Sequence, residues 1–158
     1  MQSSGSHQSP PTGAAFLLAQ LGAHAADRFA GRIESLGITP PHAGILRFIR
    51  RTPSCNQLAL ARRLGVLPSR MVVLIDQMTE KGLVRRKRSV KDRRHSELVL
   101  TKRGKGVLEK LSRLAAEHEA DLLACLSPKE RDTLAVLSRK IVRHQGLTPD
   151  VHPGYRKL

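Results

Sequence analysis

The chain of 158 residues carries 28 Lys/Arg against 13 Asp/Glu, a formal net charge of +15 and a pI near 11.2. That balance points to a polyanionic partner, while three Phe, one Tyr and no Trp argue against single-strand binders and RNA-recognition sheets, which stack bases on aromatic platforms. No apolar run approaches the ~20 residues of a membrane span, no basic-then-apolar start marks a secretory signal, and two distant cysteines, Cys55 and Cys125, make no disulfide framework; the cytoplasm is the expected compartment.

Residues 1–12 are polar and rich in Ser, Gly and Pro, and read as a disordered tail. Residues 13–36 read as a long helix: Leu17, Leu21, Ala25, Phe29, Ile33 and Leu36 recur at steps of three and four, and Gly37 stops it. Its apolar surface is wider than a small domain can cover. Thr39 then caps a helix over 42–51, with Pro40 just inside the start and Ala43, Ile45, Leu46, Phe48 and Ile49 available to a core. Thr52-Pro53-Ser54 breaks that helix, and the Cys55 region is a candidate short strand.

Two short helical patterns follow. Residues 57–64 place Leu58, Ala61 and Leu64 at helical spacing, and Gly65 makes the turn. Residues 68–81 put Met71, Leu74, Ile75 and Met78 on one face, with Pro68 in the first turn and Gly82 at the stop. Strand candidates 83–88 and 96–101 flank a basic tip at 89–95. Residues 81–105 hold eleven Lys/Arg and two acids, +9 of the chain's +15, which is the footprint of phosphate binding. Thr101 caps a long helix from Lys102 towards Cys125. Ser127-Pro128-Lys129-Glu130 is a capping box that opens a last helix carrying Leu134, Leu137 and Ile141 and ending near Gly146. Residues 147–158 read as a second tail.

Helix, turn, helix and charged hairpin make a winged helix-turn-helix, whose second helix enters the major groove while the hairpin reaches the backbone or the minor groove. The fold class expected is mainly α (α+β), a single domain over 13–146. Its DNA-binding part is 38–101, and 13–37 with 102–146 form a helical dimerisation platform. Two recognition helices about one DNA turn apart would read a palindrome.

The stretch LGVLPSRMVVLIDQMTEKGLVRR, followed by KDRRHSELVLTKRGK, resembles the multiple-antibiotic-resistance regulator (MarR) family of bacterial transcription factors. The most specific part is Asp92-x-Arg94 followed by Leu100-Thr101 and a Gly two residues after Lys102. The Ile38-Thr39-Pro40 run also resembles the way the family opens its second helix. The resemblance implies a dimer built on the terminal helices, and a pocket for aromatic acids or phenols between platform and winged helix, flanked by the helices that carry His24 and His42. In this chain Val72 and Val73 stand where family members often carry polar residues. Facing the groove, they would contact thymine methyls and donate no hydrogen bonds; rotated inward, they would join the core.

The candidate DNA-binding residues are Ser69 and Arg70 in the first turn of the recognition helix, Val72, Val73 and Gln77 along it, and Arg88, Lys91, Asp92, Arg93 and Arg94 in the wing. A helix N-terminus favours phosphate, arginine pairs bidentately with guanine, and Asp92 can orient Arg94 for a narrow minor groove. The function expected is a dimeric, sequence-specific double-stranded-DNA-binding regulator, a repressor relieved by a small aromatic or phenolic effector, with no cofactor. Two alternatives stand beside it: an architectural, low-specificity DNA binder without a ligand, and a redox sensor whose Cys55 thiolate is favoured by a basic, exposed setting. Cys125 reads as core. A trio of His118, Asp121 and Cys125 at i, i+3 and i+7 could share a helix face, but no metal motif supports it. No P-loop, glycine-rich nucleotide turn, paired-carboxylate signature or Ser/His/Asp spacing points to an enzyme.

Overall fold

The computed structural model describes residues 13–88, 96–148 and 151. The tail at 1–12, the wing tip at 89–95 and most of the C-terminal tail lie outside the described residues. The elements run α1 (Ala14–Glu34), α2 (Pro40–Arg51), α3 (Gln57–Leu64), α4 (Pro68–Glu80), β1 (Val84–Arg88), β2 (Ser96–Leu100), α5 (Lys102–Leu122) and α6 (Pro128–His144). The two strands pair antiparallel, with Val84 opposite Leu100 and Arg88 opposite Ser96. A mainly helical chain with one hairpin after the fourth helix is the expected winged helix-turn-helix.

The core sits where α2, α3, α4, the root of the hairpin and α5 converge. Ile45, Leu46, Leu60, Met71, Ile75, Met78, Leu83 and Leu111 are each at most 2 % exposed. The recognition-helix stripe Met71, Leu74, Ile75 and Met78 is buried as its periodicity requires; each side chain so removed from water is worth roughly 2 kcal/mol. On α3 the expected face is corrected by one residue. Leu60, Ala61 and Leu64 are buried, whereas Leu58 stays exposed, because an eight-residue helix cannot bury 58 and 60 on the same side.

Local signals set the ends of the elements. Asn56 accepts a hydrogen bond from the Ala59 N–H at 2.8 Å, and Thr101 accepts one from the Gly104 N–H at 3.0 Å. Ser127 and Glu130 form the capping box, with Glu130 accepting from the Ser127 N–H at 2.8 Å. Gly82, at φ 66°, closes α4 in the left-handed conformation that glycine adopts without penalty. The Cys55 segment adds no strand to the described ladder; its carbonyl takes a single hydrogen bond, from the Leu98 N–H at 2.8 Å.

One knot joins recognition helix, wing and platform. The Thr101 hydroxyl donates to the Gly82 carbonyl at 2.6 Å, and the Thr101 N–H donates to the Leu83 carbonyl at 3.1 Å. Gly104, one turn into α5, packs directly on that same Leu83 peptide, and a Cβ at this position would collide with its carbonyl oxygen. The Thr101-x-x-Gly104 spacing therefore has a steric reason: only glycine lets α5 lie against the end of α4 and the start of β1.

The terminal helices are less complete. On α1 only Ile33 is buried; its Arg32 pairs with Asp121 of α5 and Phe29 meets the His118 ring at 5.5 Å. The other end of α1 exposes Phe16, Leu17, Leu18 and Leu21, and α6 buries none of its residues, exposing Leu134, Val136, Leu137 and Ile141. Helix α5 ends at Leu122, so Cys125 lies beyond it, exposed rather than in the core.

Replacing Gly104 by Ala is expected to destabilise the fold by about 3 kcal/mol, the upper part of the range for a side chain forced into packed structure; urea unfolding followed by circular dichroism checks it, and an unchanged midpoint would refute the close approach.

Candidate nucleic-acid interface

The buried stripe of α4 leaves the opposite side free. Ser69 and Arg70 are exposed in its first turn, and Val72 and Val73 are 41 % and 45 % exposed. The valines therefore face outward, which settles the two orientations open in the sequence in favour of an apolar patch on the exposed face. Leu67, 69 % exposed, precedes them. The N-terminal N–H groups of α4 and the guanidinium of Arg70 share this end, an arrangement that attracts phosphate and offers a fork to a base edge.

Beside α4 runs the cationic strand β1. Successive side chains alternate faces, so Arg85 and Lys87 point one way while Val84, Arg86 and Arg88 point the other. Arg86 is held at the body of the domain: its guanidinium donates to Asp76 of α4 at 2.7 Å and to Gln57 of α3 at 3.3 Å. An exposed pair of this kind contributes at most about 1 kcal/mol, but it ties the wing to both helices of the helix-turn-helix. Arg86 thus leaves the pool of phosphate-binding cations that the composition suggested. Arg88 is exposed at the tip end of β1; Lys91, Asp92, Arg93 and Arg94 lie outside the described residues.

Gln77 is placed differently from Arg70. It sits in the third turn of α4, and its Oε1 lies 3.3 Å from Nε2 of His42. His42 is 4 % exposed, the third residue of α2, with Nδ1 3.2 Å from the Thr39 N–H. Desolvation pushes its pKa below the ordinary histidine value, Lys81 lowers it further, and the hydrogen bond to Gln77 opposes both.

His24 and His42, expected beside a ligand pocket, do not line the cleft that the described residues form. His24 is exposed on α1, and His42 is consumed as a cap. The cleft, about 1020 Å³, lies instead between α2, α3 and α5. Phe48, Leu64 and Leu108 give it an apolar wall, and Arg47, Arg50, Arg51, Arg63 and Arg113 face it with Glu109 as the one carboxylate. These arginines are scattered over three elements, so no local motif marks them.

The cysteine expectations reverse. Cys55 is 4 % exposed and burial raises its thiol pKa, the opposite of the basic, exposed setting that would favour a thiolate. Among the described residues no three His, Cys, Asp or Glu side chains are grouped to hold a metal; in the His118–Asp121–Cys125 trio, Asp121 is taken by Arg32 and Cys125 is off the helix.

Two outcomes follow from these burials. Cys55 should resist alkylation in the native protein and react only on denaturation; native labelling at its peptide, read by mass spectrometry, would contradict its burial. For His42, the unfolded chain takes up a proton near pH 6.5 while the folded imidazole resists it. Its contribution to stability is therefore full above about 6.5 and lost as the pH falls towards the lower folded value. The wild type should lose more stability between about pH 7 and 5 than His42→Gln, compared by urea midpoints at each pH.

Comparison with known proteins agrees with this architecture. The MarR family matches residues 36–95. A putative transcriptional regulatory protein for the hcr operon of Thauera aromatica is 35 % identical over 113 residues, 72 % of this chain and 68 % of the relative. Among solved structures, the transcriptional repressor CouR bound to a 23-mer DNA duplex is 28 % identical, with a TM-score of 0.73 over 82 % of this chain and 92 % of CouR. A Mycobacterium tuberculosis MarR-family protein in complex with salicylic acid is 25 % identical, with a TM-score of 0.67 over 82 % and 96 %. With the matched segment running from just after α1 to the residue before β2, and a relative described as a putative transcriptional regulatory protein aligned over more than two thirds of both chains, the protein belongs to the MarR family of DNA-binding transcriptional regulators.

Proposed function

We propose that the chain works as a homodimer on a palindromic double-stranded operator, as a repressor released by a small aromatic or phenolic acid. The observation that carries this reading is the exposed face of α4, where Ser69, Arg70, Val72 and Val73 stand clear of the core beside the cationic β1. In it, Arg70 reads a guanine, the valines press on thymine methyls, and Arg88 and the wing residues Lys91 and Arg93 hold phosphates. Arg94, oriented by Asp92, enters the minor groove. CouR, similar over most of its length, binds duplex DNA as a repressor.

The dimer is supported by what one protomer leaves uncovered. A helix with no buried residue, α6, has no reason to be stable alone, and its leucines together with the exposed end of α1 are the surface a second copy would cover. Exposed apolar side chains clustered on one helix stripe mark an interaction surface. The effector is supported by the α2–α3–α5 cleft, where guanidinium groups surround an apolar wall, chemistry suited to a carboxylate on an aromatic body; the similar mycobacterial protein was crystallised with salicylic acid. Because the cleft touches both the platform helix and the helix-turn-helix, a ligand that prefers one of their relative placements would shift the population away from the DNA-bound state. This role places the protein in the cytoplasm and assigns it no catalysis.

The test is selection from a random duplex pool at about 150 mM salt, a concentration that suppresses purely electrostatic binding. The expected product is a palindrome with half-sites about one helical turn apart. Arg70→Ala should cost about 1–3 kcal/mol and relax one position in each half-site. A pool that stays random while binding would replace this reading with a low-specificity architectural role, for which the net charge of +15 would suffice.

A further inference from the structure

His42 is the one buried polar side chain of the core among the described residues, and nothing in the proposed DNA contacts uses it. Its hydrogen bonds fix its chemistry. The Thr39 backbone N–H, 3.2 Å from Nδ1, can only donate, so Nδ1 presents its lone pair. The Thr39 hydroxyl, 3.1 Å away, meets the same nitrogen. The proton of the neutral ring therefore sits on Nε2, which faces Gln77 at 3.3 Å. An N–H there needs an acceptor, so the Gln77 carboxamide turns its oxygen to His42 and its NH2 group away.

Gln77 lies on the exposed side of α4, seven residues after Arg70 and four after Val73 on the same stripe. Glutamine ordinarily pairs with adenine by accepting from N6 and donating to N7, which requires both ends of the amide at the base edge. With its oxygen held inward, Gln77 has only its NH2 group to offer. We infer that His42 is a positioning residue for base readout: it pins Gln77 as a pure hydrogen-bond donor, so that this position of the operator favours an acceptor edge, guanine O6/N7 or thymine O4, over adenine, of which only N7 is left to it, and rejects cytosine, whose edge only donates. This rests on α4 being the recognition helix. The Thr39-Pro40-x-His42 sequence that caps α2 would thereby write part of the specificity of a helix 35 residues away.

The experiment compares selections from the same random duplex pool. The wild type should enrich guanine or thymine at one position of each half-site. Gln77→Leu should lose that preference by about fivefold, the worth of one net hydrogen bond, and leave the other positions unchanged. Gln77→Asn, one methylene short of His42, keeps an amide on an exposed site and should lose the same preference on a folded protein. His42→Met should reproduce the Gln77→Leu pattern, and the double variant should be no worse than either alone. His42→Gln restores both bonds, accepting from Thr39 as glutamine does in a capping box and donating to Gln77, and should restore the preference. Base preferences unaltered in Gln77→Leu or in His42→Met, or cytosine or adenine preferred over guanine and thymine at the Gln77-dependent position, would overturn the inference while leaving the regulator intact. A wild-type pool without any palindrome would overturn the regulator reading itself.

Discussion

The contact between Gly104 and the Leu83 peptide is the constraint on which the arrangement depends. At that point the recognition helix has just ended, the hairpin is beginning, and the platform helix starts its first turn. Thr101 completes the junction by donating to the Gly82 carbonyl from its hydroxyl and to the Leu83 carbonyl from its N–H, while its hydroxyl caps α5. Three elements with separate tasks are thus held to one peptide. A shift of α5 cannot be absorbed locally, because the backbones are already as close as the absence of a Cβ allows. Any movement of α5 has to carry the start of the hairpin and the end of α4 with it.

Electrostatics on this frame divides into cations spent inside the domain and cations left for a partner. Arg86 fastens the hairpin to α3 and α4, and Arg32 fastens α1 to α5. Arg47 lies 5.9 Å over the Phe29 ring, so it also belongs to the seam between α1 and α2. Exposed cations include Arg85, Lys87 and Arg88 on β1 and Arg70 in the first turn of α4. The ion pairs leave the net charge of +15 unchanged, since each takes up one acid with one cation, but they fix which cations stay free to meet a phosphate backbone. The like charges of β1 are on both faces of a two-stranded ribbon, and Arg86, on the side towards the body, finds Asp76.

The α2–α3–α5 cleft and the uncovered faces of α1 and α6 are both properties of incomplete packing. The cleft remains where α5 runs beside α2 and α3 without closing over them. Its arginines stand on the exposed sides of helices whose other residues, such as Leu46, Ile49 and Leu111, are in the core. The cleft is lined from α2, α3 and α5 and not from α1 or α6, so it and the uncovered apolar faces are separate surfaces.

Local physics made much of the molecule legible from the chain. The order of six helices and one hairpin, the caps at Thr101 and Ser127, the stop at Gly82 and the buried stripe of α4 are decided by periodicity, caps and glycine positions within a few residues of each other. The same local rules exposed the terminal helices as too apolar for one protomer. Only the tertiary structure decided which charges and polar groups meet. Arg86 finds Gln57 across 29 residues and His42 finds Gln77 across 35, distances over which periodicity carries no information. Cys55 looked exposed because its sequence neighbours are polar, yet the Leu98 pairing folds it into the core. Cys125 looked buried because its neighbours are apolar, yet α5 ends before it. The two valines of α4 could not be oriented from spacing alone, since either face would have accepted them; the competition for the core was won by Met71, Leu74, Ile75 and Met78, and the valines were left facing outward.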